Sequence, residues 1–158
     1  VAGEAGAVKA AVCEVWKGIR SKGFHAEKSD SGELIGRAFM RVMVIGASED
    51  RSKYGNKAVR AYLRQHHEVL PVNPHGGTVE GLHVYRSIAE VPGPIDRATI
   101  YVPPGAGVGV MKELGARGDV KETWLNPGAE SEEVVAAAKE AGIEPVQACS
   151  IIDIGERP

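Results

Sequence analysis

The sequence predicts an α/β fold, a doubly wound parallel sheet of five strands preceded by an extra N-terminal helix. Three observations predict it. From Arg41 onward, five short apolar runs alternate with stretches of helical periodicity. Such alternation builds parallel sheets through right-handed crossovers, with helices on both faces. Each run ends in small, turn-forming residues, and the first passes through a glycine directly into a helix-like segment.

The elements follow in order. Val8, Val12, Val15 and Ile19 recur at steps of four, three and four, which places them on one helical face. Ala11 and Trp16 widen that stripe, and Gly23 marks a stop. "HAEKSDSGE" (25–33) is a polar linker, followed by an apolar stretch from Leu34 to Phe39. "RVMVIG" reads as a buried strand, and Val59, Tyr62 and Leu63 give the next segment helical spacing. "EVLPVN" is a second strand, whose Pro71 suits a strand end or a sheet edge. "DRATIYV" (96–102) is a third, followed by a glycine-rich helix over 107–116. "ETWLN" (122–126) is a fourth, "ESEEVVAAAKEAG" a helix closing at Gly142, and "IEPVQA" (143–148) a fifth strand. The expected division is an extension and linker over 1–40 and a sheet domain over 41–158.

Composition narrows the function. The 158 residues are 43% apolar and 25% charged, the balance of an ordinary globular chain. With 19 basic against 21 acidic residues the net charge is −2, which argues against nucleic acid as a partner. Cys13 and Cys149 are too few and too distant for a disulfide framework, and no CxxC pair points to a metal. No run approaches the ~18 apolar residues of a membrane span, and the N-terminal residues lack the apolar core of a signal peptide. The expectation is a soluble, cytoplasmic protein.

In a doubly wound sheet, ligands bind beyond the carboxyl ends of the strands. Those exits read "GAS" (46–48), "NPH" (73–75), "PPG" (103–105), "NPG" (126–128) and "ACS" (148–150). They are small and poor in catalytic groups, so the edge suits a ligand that approaches backbone. A dinucleotide fingerprint, G-x-G-x-x-G, is broken: Gly46 supplies its first glycine, but Ser48 and Arg51 stand at the second and third positions. The second strand ends in Asn73-Pro74, where NAD would call for an acid. Ser48, the following helix N-terminus, Arg51 and Lys53 offer a different phosphate chemistry. The same residues also read as a tight turn followed by a solvated charge run.

Taken together, "VMVIGASEDRSKYGNKAV", "HEVLPVNP", "IYVPP", "ETWLNPGAESEEVVAAAKEAGIEPV" and the trailing "ACS" resemble the small stand-alone CoA-binding proteins. Those are related to the CoA-binding domain of the succinyl-CoA synthetase alpha subunit. The resemblance runs from residue 41 to about 152 and implies a Rossmann-like sheet with CoA, or an acyl-CoA, across its carboxyl edge. It implies that Gly46, Ala47 and Ser48 line the first loop, with Arg51 and Lys53 near the phosphates. Asn73 and Pro74 would form the adenosine pocket with Val102, Pro103 and Pro104, and Asn126, Pro127 and Gly128 would flank the pantetheine arm. Members of the family often carry an arginine before the paired prolines. This chain has Tyr101-Val102 there, which implies either a weaker hold on phosphate or a cation from Lys53 or Lys57. The first 40 residues exceed the lead-in usual for the family.

The resemblance implies no catalysis. The synthetases use a phosphohistidine on a second domain, whereas this sequence stops at Pro158, just past the fifth strand. His66 and His67, adjacent at a helix end, read as solvated residues favoured by the helix dipole. His75 reads as a surface histidine in the ligand loop. Glu130, Glu132 and Glu133 suit a helix N-terminus by charge alone. Ser48 lacks a nucleophile elbow. Cys149 is either a small packed hydrophobe or a thiol near the ligand edge, where a mixed disulfide with CoA would sense oxidation. The leading expectation is a non-catalytic CoA-binding protein, with a homo-oligomer or a separate partner enzyme left open. An NAD(P)-dependent oxidoreductase, or an interaction protein that has lost its ligand, is the alternative.

Overall fold

The computed structural model describes residues 38–158. The expected helix over 8–19, the linker and most of the apolar stretch before Arg41 lie outside the described residues. Five parallel strands form the central sheet: β1 (Arg41–Ile45), β2 (Glu68–Val72), β5 (Ile95–Ile100), β6 (Val120–Leu125) and β7 (Val146–Gln147), in the order β2-β1-β5-β6-β7. Between β2 and β5 the chain forms a separate hairpin of β3 (Thr78–Val79) and β4 (Leu82–His83). The helices are α1 (Tyr54–Arg64), α2 (Pro104–Arg117), α3 (Glu132–Glu140) and the short α4 (Ser150–Asp153). Met40–Pro158 forms one unit, and among the described residues no helix is long and apolar enough to cross a membrane.

The pleat of β1 explains the two cores. Successive side chains of a strand point to opposite faces. Val42 and Val44 therefore join Ala58, Val59 and Tyr62 of α1 with Ile151 of α4. Met43 and Ile45 join Met111 and Leu114 of α2 with Val134 and Ala138 of α3. Glycines let α2 and α3 come close: a Cβ at Gly107 would lie 2.8 Å from Val134 Cγ2, and one at Gly115 2.7 Å from the Ala141 methyl.

Pro71 sits as expected on an edge strand. Its carbonyl accepts the Tyr85 N–H at 2.9 Å on the side away from β1, so its missing N–H faces outward too. Several expected boundaries move: the third strand runs Ile95–Ile100 and the fourth Val120–Leu125. The helix over 107–116 begins at Pro104, because proline at the first helical position has a suitable φ and no N–H to leave unpaired. The strand over 143–148 shrinks to Val146–Gln147. Its first residue is taken by the helix cap: Ile143 N–H bonds Ala138 O at 2.8 Å and Gly142 N–H bonds Lys139 O at 3.0 Å, the paired reversal that ends a helix at a left-handed Gly142.

The same cap corrects the reading of the two histidines. His66 takes the left-handed position (φ 61°) and stays exposed, but His67 is turned inward and buried. Its Nδ1 accepts the Met40 N–H at 3.2 Å, and its ring lies 5.8 Å from that of Tyr62. The periodicity of the sequence predicts neither α4 nor the hairpin of β3 and β4. The hairpin turns on Glu80-Gly81, both at positive φ, the geometry that a two-residue hairpin loop requires.

Candidate functional site

Strand order reverses at β1. The chain leaves it for β2 on one side and later returns to β5 on the other, which makes the β1/β5 exit the switch point. Tyr101 N–H donates to Ile45 O at 2.8 Å there. Gly46, at φ +90°, is pressed against the facing exit: a Cβ on it would lie 3.0 Å from Tyr101 C and 3.1 Å from Val102 Cγ1. Only glycine meets both demands, so the first strand ends with no side chain at the turn.

The loop beyond is held by its own short bonds. Gly46 and Ala47 N–H groups both donate to Val72 O, and Asn73 Nδ2 donates to Ala47 O at 2.8 Å, joining the first two exits. Ser48 Oγ accepts the Asp50 N–H at 3.1 Å. Asp50 Oδ1 accepts from the Ser52 hydroxyl and backbone N–H, and these bonds hold its carboxyl below the ordinary range. Asn56 in α1 is buried and donates to Ser48 O at 2.8 Å. Gly55 brings the helix that near. A Cβ there would fall inside contact distance of the Gly46 carbonyl oxygen and 3.3 Å from Ala47 Cα. The dinucleotide fingerprint places a glycine for this close packing five residues after its first. Here it comes nine residues after Gly46, which is why the motif looks broken in the sequence. The signal is present in "SKYGN", but at an unfamiliar offset.

Beside this loop lies a cleft of about 400 Å³, lined by Ala47, Ser48, Glu49, Asn73, His75, Gly76, Gly77 and Val79. Gly46, Ala47, Ser48, Asn73 and Val102 thus converge on the switch point. Arg51 and Lys53 are exposed on the loop, and Arg51 Nε lies 3.3 Å from Glu80 Oε1. Lys57 lies over the exposed Tyr54 ring, 4.7 Å from its centroid. Pro74 is exposed; Pro103 caps α2 and Pro104 opens it.

Asn126 belongs to a different structure. It is buried, and its Nδ2 donates to Thr99 Oγ1 at 2.7 Å and Ile100 O at 3.0 Å, while its Oδ1 accepts Ser150 N–H at 2.9 Å. Ser150 Oγ bonds Thr99 and Tyr101 in turn, so one amide ties together the exits of β5, β6 and β7. Burial pushes the Tyr101 phenol well up, so it remains a neutral partner in this chain of hydroxyls. Pro127 and Gly128 are exposed beyond Asn126, with Gly128 N–H on Glu130 Oε2 at 2.7 Å. Cys149 is half-buried, packs against the α1 side of the core and precedes α4.

The helix N-termini around this edge differ in charge. Neither α1 nor α2, whose starts follow the switch-point strands β1 and β5, has an acid in its first turn. The first turn of α3 already carries Glu132 and Glu133, and its Ser131 cap accepts the Val134 N–H. Glu133 is held below its ordinary pKa by its own backbone N–H and by Ser131. An N-terminus with no acid in its first turn attracts anions. The edge therefore presents two positive helix ends at the switch point and a neutralised one beside it.

A five-stranded parallel sheet in the order β2-β1-β5-β6-β7, with a glycine turn at its switch point, defines a doubly wound α/β domain of Rossmann-like type. Within that class the chain belongs to the CoA binding domain family, whose profile matches residues 40–154. It is 38% identical over 78 residues to the ADP-forming acetate–CoA ligase II subunit alpha of Pyrococcus furiosus, a match covering 49% of this chain but 17% of that subunit. Uncharacterized protein YneT of Bacillus subtilis is 27% identical over 115 residues, covering 73% of this chain and 84% of that one. Among solved structures, a conserved hypothetical protein from Pyrococcus furiosus superimposes with a TM-score of 0.67 at 39% identity, over 73% of this chain and 99% of its own. The dinucleotide-forming acetyl-coenzyme A synthetase 1 of Ca. Korarchaeum cryptofilum gives a TM-score of 0.60 at 30% identity over 69% of this chain and 25% of its own.

Proposed function

We propose that this protein binds coenzyme A, or an acyl-CoA, across the carboxyl edge of its sheet and acts as a binding module, without catalytic groups of its own at that edge. The observation that carries the reading is the side-chain-free turn at Gly46, leading past Ala47 and Ser48 at the cleft to an α1 whose first turn carries no acid. A diphosphate settles against the N–H groups of such a helix end. The adenosine then lies toward Asn73 and Pro74, and the pantetheine arm runs past Val102 toward Pro127 and Gly128. The polar side chains nearest the switch point support a holding role over a reactive one. Ser48 accepts a backbone bond, Asn73 bridges two loops, and Asn126 and Ser150 are bonded to each other inside the fold.

The test is a thermal shift series with CoA, acetyl-CoA, NAD and NADP. A ligand at about 100 times its dissociation constant adds ~2.7 kcal/mol of stability, which for a domain of this size is roughly 5–10 °C. CoA should raise the melting temperature and NAD should not. A shift with NAD alone would replace this reading with an oxidoreductase, and none with any of the four would leave an interaction protein.

A further inference from the structure

Most arginines of this domain have their guanidinium committed to the protein. Arg41 donates to Pro92 O and Pro94 O, Arg64 to Glu156, Arg97 to Glu122 and Asp153, and Arg117 to Ile88 O and Val91 O. Arg86 differs. Its backbone N–H is fixed on Glu90 Oε2 at 3.0 Å, yet its guanidinium has no bonded partner among the described residues. Its side chain is nonetheless placed. A Cβ on Gly76 would lie 2.8 Å from Arg86 Nε, 3.2 Å from Cγ and 3.6 Å from Cδ, so the side chain runs along the Gly76 backbone. Gly76 is at φ +66° and lines the cleft beside His75. Its positive φ favours glycine.

The charge around the cleft is uneven. Glu49 lines it, and Glu80 already engages Arg51. Arg86 lies next to Gly76, and Glu49 reaches the following residue, where a Cβ on Gly77 would lie 3.8 Å from Glu49 Oε1. A planar fork with free N–H groups is the side chain best matched to a phosphate monoester. We infer that Arg86, laid along the Gly76 turn, receives a phosphate monoester on the ribose of the bound adenine nucleotide, so the site prefers 3′-phosphorylated ligands. The inference rests on the CoA reading. The diphosphate sits at Gly46–Ser48 and the adenosine at Asn73-Pro74, which leaves the ribose phosphate of CoA to reach Gly76 and Arg86.

The test is calorimetric titration of the full chain with CoA and with dephospho-CoA, for wild type and for Arg86→Gln and Arg86→Lys. Wild type should bind CoA about tenfold tighter than dephospho-CoA, the scale of one charged hydrogen-bond contact. Arg86→Gln should lose that factor for CoA alone and bind dephospho-CoA unchanged, and Arg86→Lys should recover part of it. Equal wild-type affinity for the two ligands, or an equal loss for both in Arg86→Gln, would overturn the inference while leaving CoA binding intact. Binding of neither ligand by wild type would overturn the CoA reading itself and the inference with it.

Discussion

Replacing Gly55 with alanine tests the central contact of the site. In an exposed helix the change would stabilise by about 1 kcal/mol, because glycine is the poorer helix former. At Gly55 the added methyl would press on the Gly46 carbonyl oxygen and lie 3.0 Å from Gly46 C, both backbone atoms with no freedom to swing aside. A carbon normally stays more than about 3.3 Å from a carbonyl oxygen, so α1 must retreat by about 1 Å. A radial gap of that size forfeits a quarter to a half of the packing attraction of the residues beneath. Those are Ala58, Val59, Ala61 and Tyr62, all fully buried, which together contribute about 6 kcal/mol of burial. The loss is then about 3 kcal/mol, within the usual cost of overpacking. Net of the helix term, Gly55→Ala should be about 2 kcal/mol less stable in urea and melt roughly 4–8 °C lower. Gly109→Ala is the control. Gly109 lies in α2, where an added methyl would meet nothing within 4 Å, so the change should gain a few tenths to about 1 kcal/mol. If Gly55→Ala melts at or above wild type, α1 is not seated on Gly46 and the account of the loop fails.

Three further outcomes follow from the same contacts. Asn126→Ala should cost about 3 kcal/mol in urea unfolding, because it strands the buried Ser150 N–H and frees three strand exits; a loss below about 1 kcal/mol would refute the bridge. Glu156 is held below its ordinary pKa by Arg64, then Gln65. A depressed carboxyl contributes stability above its unfolded value that fades as pH falls through the folded one. Melting curves of Glu156→Gln should therefore sit below wild type at neutral pH and converge with it in acid, and a constant gap would show that the ion pair is not the cause. Tyr101→Phe, which removes the bond to Ser150, should lower stability by about 1 kcal/mol without changing CoA affinity in a titration; a large loss of affinity would place the phenol in the ligand site.

How much is legible from the chain depends on the range of the interaction. The alternation that sets strands and helices is local, so the five strands, the edge position of Pro71 and the family are readable from short windows of sequence. The Gly-Ala-Ser turn is readable too, since a positive φ at a strand end selects glycine within one residue. Caps lie at the limit: Gly142 is visible as a stop, but a Schellman reversal also takes the residue after it from the next strand, and at His66-His67 it buries the second histidine. The remaining features depend on residues distant in sequence. Nothing local marks Gly55 as the packing glycine, because its neighbour is a carbonyl nine residues earlier. The bonds of Asn126 depend on Thr99 and Ser150, which only the fold brings beside it. Periodicity and turn chemistry act over a few residues, so the chain alone settles the class of fold. Which polar side chains hold the strand exits together is settled by the folded molecule, because a hydrogen bond is assigned by where both partners come to rest.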